Sequence, residues 1–248
     1  MRGLMFLLLT TLQVEPLHLQ IQKMVQTGDS YNAVEVMARQ GDPKTVARLY
    51  TEVTRDLYRK LRDLPSFIIV SRQGIDYLLA KAVEMERTDV ALSNELRGAA
   101  KVLSYNLASY TWPGWNEPGI RPTASEIEIG LEAARLNMRL AVELKRGADP
   151  LFNAHWIIGA LELARGRHAE AIRSYEQARK ISNEAALGAH SLLAEGSIAI
   201  AKIAGKIDVA AGEREFRQVK SELLSGKVTD GKFYSDQLDT AYKVFTER

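Results

Sequence analysis

No cysteine occurs in the 248 residues. That excludes disulfides, thiolate nucleophiles, cysteine-ligated zinc and the terminal cysteine of a bacterial lipid anchor. Proline is scarce, 7 in all, and Pro113, Pro118, Pro122 and Pro150 fall in one stretch, so most of the chain lacks the residue that breaks helices. Charge bias is absent as well. The net charge is +2, and the two signs nearly balance on both sides of Ala124. Without a basic stripe interleaved with aromatics, nucleic acid is not an expected partner. No apolar run is long enough to cross a bilayer as a helix, so stable membrane insertion is not expected. A glycine-rich phosphate loop, a serine nucleophile elbow and a His-Glu zinc motif are all missing. The sequence therefore offers no catalytic residues, no metal site and no cofactor.

What remains is rich in Ala, Leu, Glu, Arg and Lys, the composition of helices. Turn signals divide it. Pro16 opens a helix ended near Gly28, and Asp29 or Ser30 caps the next, which Gly41 ends. Asp42 and Pro43 begin another, as cap and first helical residue. Pro65 and Ser66 start a long segment. There, Phe67-Ile68-Ile69-Val70 reads alone as a strand, but no partner run exists, so it is taken as buried helix. Asp89 opens a helix with a stripe of Leu92, Leu96, Ala99, Leu103 and Leu107. Thr123 and Glu126 form a capping box, and Gly147 is read as the end of the helix they begin. Further helices are expected from Asp149, over the two halves of residues 152–183, and near 184–204, 209–224 and 234–246. This makes about ten helices and no strand.

Residues 152–183 carry the clearest pattern: Gly159, Gly166, Ala171, Tyr175 and Ala178. Small side chains at Gly159 and Ala171 let two helices approach closely, and Tyr175 fills the gap beside them. This order resembles one tetratricopeptide repeat, a pair of antiparallel helices. The likeness departs from the family's signature at His155, Glu162 and Asn183, and is degenerate elsewhere. It implies an all-α fold, a right-handed α-solenoid of tetratricopeptide-like helix pairs, over residues 15–248 with an inserted loop at 112–122. The helix from Asp89 and the helix from Thr123 would form one such pair, with the loop inserted between them.

Three candidate sites follow. In the resembled family, partner peptides lie against the first helix of each pair, which places Asn153, Trp156, Ala160 and Leu163 on a binding groove. The alternative is that Trp156 is core. Trp156 and Ile157 also stand where the chaperone-tail-binding subgroup carries polar residues, so that subgroup is disfavoured. The second candidate is the loop, where Trp112 and Trp115 either stack on a ligand ring or plug the ends of adjoining helices. The third is His155 with His190, about one repeat apart, a weak metal pair that reads better as packing. Arg55, Arg59 and Arg62 read as an ordinary charged face.

The function expected is a non-catalytic protein- or peptide-binding scaffold, an adaptor or assembly factor. The alternative is a carbohydrate- or small-molecule-binding helical domain using Trp112 and Trp115. Residues 1–14, Arg2 followed by the apolar run from Leu4, read either as a secretory signal or as a first helix. A signal would place the protein in a periplasmic or secreted setting; otherwise it is cytoplasmic.

Overall fold

The computed structural model describes residues 16–247; the reading of residues 1–14 lies outside them. Eleven α-helices and one 3-10 turn make up the described residues, with no strand. The first four are α1 (Leu17–Gln26), α2 (Ser30–Ala38), α3 (Pro43–Arg59) and α4 (Leu64–Met85). Next come α5 (Val90–Tyr110), the 3-10 turn (Pro113–Trp115) and α6 (Ala124–Glu143). The chain continues with α7 (Ala148–Ala164), α8 (His168–Glu184), α9 (Gly188–Ala204), α10 (Val209–Leu223) and α11 (Gly231–Thr246). From α3 to α10 each helix packs on its chain neighbour; short turns fold most of them back, and the loop between Tyr110 and Ala124 joins α5 to α6. Odd-numbered helices from α3 to α9 also touch the next odd one, forming a second layer. None of these helices is long and apolar enough to cross a membrane.

Local chemistry explains most boundaries. Asp42 accepts from the backbone N–H groups of Lys44 and Thr45, with Pro43 at the first helical position. Asp63 and Asp89 cap α4 and α5 in the same way. The Thr123–Glu126 capping box is complete at the start of α6. Phe67 to Val70 lie inside α4, with Phe67 and Val70 fully buried.

At two turns the boundaries differ from the sequence reading for one reason. Gly147 does not end α6; it is the N-cap of α7, and Lys145 takes the left-handed turn instead, at φ 49°. Likewise α8 runs on through Glu184, and Ala186 at φ 55° makes the turn into α9. The sequence marks left-handed turns by glycine. Here non-glycine residues make them, closed by Arg146 N–H to Ala141 O at 2.9 Å and Leu187 N–H to Ser182 O at 2.8 Å.

Gly159 earns its place by sterics. A Cβ there would lie 2.8 Å from the Tyr175 ring and 3.1 Å from the Ala171 carbonyl oxygen. Tyr175 is 1% exposed, so it has no room to retreat. One of the three departures from the repeat pattern, Glu162, is buried inside the helix pair, and its Oε1 accepts from Arg135 Nη2 at 3.2 Å. The core runs from Ile21 in α1 to Ala241 in α11 without a break.

Candidate functional site

The inserted segment is tied down at several points. Just past α5, the Trp112 backbone N–H donates to the Ser109 carbonyl at 3.2 Å. The 3-10 turn follows, ending at Asn116 with φ 48°. Trp115 Nε1–H reaches back to the same Ser109 oxygen at 2.8 Å. Glu117 forms an ion pair with Arg62, which stands just past α3 with φ 56°. The loop is thereby fastened to the C-terminal ends of both α3 and α5.

The two loop tryptophans take different roles. Trp112 is 3% exposed. Its ring packs edge-on against Trp115 and Trp156, with centroids 5.0 and 5.2 Å away, and lies nearly parallel to Phe245 at 6.2 Å. The indole folds over Gly114, where a Cβ would sit 2.1 Å from the ring. Trp112 is thus the plug. Trp115 is only half-buried and lines a cavity.

That cavity has a volume of ≈ 630 Å³ and sits between the end of α3, the last turns of α5 and the loop. Its aromatic wall is built on Tyr58 and Tyr110, stacked with centroids 3.8 Å apart and planes 4° apart. Phe67 supports both rings from beneath, at 5.7 and 5.3 Å. Polar groups come from Tyr105, Asn106, Ser109 and Glu117, and the exposed Arg59 and Arg62 stand at the rim. Arg59 Nε–H donates to Tyr110 Oη at 3.2 Å. Burial pushes Tyr58 and Tyr105 up to about 12, so both phenols are neutral at physiological pH. The charge of the cavity rests on two arginines and one glutamate.

The groove expected beside α7 is not an open surface. Trp156, Ala160 and Leu163 are 3%, 0% and 3% exposed. Trp156 donates from Nε1 to Ser197 Oγ at 3.1 Å. The last helix, α11, packs on α9, where Leu238 lies 2.5 Å from a Cβ placed on Gly196, and its Leu238 and Ala241 come up beside Trp156 and Leu163. The void left between Trp112, Trp156, Tyr175 and Leu238 is ≈ 10 Å³, room for no more than about one water. Of the four groove residues only Asn153 reaches the surface, where Nδ2–H donates to Asp149 Oδ2 at 3.3 Å. The expectation of an exposed Trp156 groove is corrected accordingly, and the reading of Trp156 as core is the one that matches.

The histidines go separate ways. His190 contacts Asp149 at 3.0 Å and packs edge-on against Phe152. His155 is half-buried, and burial lowers its pKa. Among the described residues no three His, Cys, Asp or Glu side chains gather as a metal site would require.

Sequence reasoning missed most of the cavity. Arg59 and Arg62 passed for a solvated face. The available signal was the polar-aromatic end of α5, Tyr105, Asn106, Ser109 and Tyr110, running directly into the tryptophan loop. No protein-family model, no curated protein and no solved structure matches the chain.

Proposed function

We propose that this chain is a non-catalytic binding protein, built as a right-handed solenoid of tetratricopeptide-like helix pairs, and that its ligand enters the cavity between α3, α5 and the tryptophan loop. The observation that carries this reading is the cavity beside Trp115, ≈ 630 Å³ in volume. That volume is within the usual range for small-ligand sites, which are concave and carry few, convergent polar groups on aromatic walls. This is the small-molecule reading of the loop, with Trp115 as the contact residue and Trp112 as its support.

The adaptor reading keeps one supporting observation. The face that resembled proteins offer to partner peptides already holds a helix, α11, seated through Leu238 and Ala241. A groove that accepts one amphipathic helix suits helix recognition.

Nuclear magnetic resonance of the three indole N–H signals discriminates the two. Small ligands of the cavity move the Trp115 signal with little effect on Trp156. A helical peptide that displaces α11 moves Trp156 and Trp112 instead. If neither class of ligand perturbs any indole, both readings fail.

A further inference from the structure

We infer that the cavity takes a ligand carrying a ring and a carboxylate, the ring against Trp115 and the carboxylate on Arg59. This rests on the reading of the cavity as the binding site.

Charge comes first. Arg62 and Glu117 satisfy each other. Arg59 forms no ion pair with a carboxylate among the described residues, and its one side-chain hydrogen bond spends Nε–H on the Tyr110 hydroxyl. That bond fixes the guanidinium plane and leaves both terminal amino groups for a guest. A planar fork held in this way suits a carboxylate accepting two parallel hydrogen bonds. The lining carries one positive charge in excess, which matches a monoanion and repels an ammonium group.

Next is the ring. Trp115 has already committed its indole N–H to the Ser109 carbonyl, so what it offers the cavity is apolar surface at a fixed angle. The Tyr58–Tyr110 stack supplies a second flat wall. A ring between or across such surfaces gains offset or edge contacts of the kind aromatic side chains make with one another. Asn106 adds selectivity. It lines the cavity, and its amide makes no side-chain hydrogen bond among the described residues, leaving a donor and an acceptor for a ring hydroxyl. Both aromatic acids and uronic acids have this shared chemistry.

The test uses the full chain and four probes: p-hydroxyphenylacetate and D-glucuronate, with their neutral counterparts p-hydroxyphenylacetamide and D-glucose. Calorimetry gives the affinities, and the Trp115 indole signal locates the site. The expected result is that at least one acid binds about tenfold or more tightly than its neutral counterpart, the range of a hydrogen bond to a charged group. Which acid it is identifies the source. Arg59→Gln, a surface substitution checked for fold by circular dichroism, abolishes the preference, and Arg59→Lys keeps part of it. Trp115→Leu weakens acid and neutral probes alike. Equal binding of acid and neutral probes, or a preference that survives Arg59→Gln, overturns the carboxylate assignment and leaves the cavity reading standing. Four silent probes, or binding that leaves Trp115 unmoved, overturn both.

Discussion

Phe245, in the last turn of α11, stacks on Trp112 at the start of the inserted loop, with centroids 6.2 Å apart and planes 26° apart. This contact joins the end of the chain to its middle and closes the face that Trp156 would otherwise present. It couples the candidate site to the last helix, because the neighbouring Trp115 rests edge-on against the same Trp112 ring.

Shortening Phe245 should therefore loosen two elements together. Phe245→Ala is expected to cost about 1–3 kcal/mol, less than a fully buried aromatic would because the ring is half-buried. Urea denaturation followed by tryptophan emission checks it. A red-shifted native spectrum would show Trp112 or Trp156 becoming wet, and unchanged emission and stability would refute the coupling.

The tryptophans should separate by function. Trp112→Ala is expected to lose about 3–5 kcal/mol as a large buried ring is deleted. Trp112→Phe should lose less, because it also removes a buried N–H that has no hydrogen-bond partner. Trp115→Leu is expected to spare the fold and weaken ligand binding. Thermal melts of the three variants beside a binding assay distinguish these roles.

Gly159→Ala should destabilise despite the higher helix propensity of alanine. The propensity gain is up to about 1 kcal/mol, whereas forcing a methyl group against a ring that cannot move costs about 1–3 kcal/mol. The contact distance of 2.8 Å to Tyr175 decides for the second. Gly188→Ala is the control, with nothing within 4 Å of the added Cβ, and should stay within about 0.5 kcal/mol of the parent. Equal melting temperatures for the two variants would contradict the packing account.

Acid should weaken the α1–α3 contact. Burial by itself would raise the Asp56 pKa. Hydrogen bonds from Lys60 at 2.8 Å, Gln22 at 3.2 Å and Arg55 at 3.3 Å outweigh it and hold the group below 3.8. A carboxylate with a depressed folded pKa contributes stability that is fully present above the unfolded value. That contribution disappears as pH falls through the folded one. Stability measured from pH 5 to about pH 2 should drop, and Asp56→Asn should flatten the drop. An Asp56→Asn protein with the parental slope would assign the acid sensitivity elsewhere.

Helix class, most helix starts and the close pair around Gly159 were legible in the residue order because their causes are local. The Asp42 and Thr123 caps act within three residues, and the Gly159–Tyr175 fit lies inside one helix pair. The inserted loop was visible for the same reason, as a cluster of proline, glycine and tryptophan. Its division of labour was not. Trp112 and Trp115 look alike in the sequence, and only their neighbours make one a plug and the other a wall. The cavity joins Arg59 to Tyr110 across 51 positions and Arg62 to Glu117 across 55. The groove is filled by α11, whose apolar residues carry no mark of where they dock. Burial of Trp156 and assembly of the cavity depend on which distant helices meet, and the tertiary packing alone decided that.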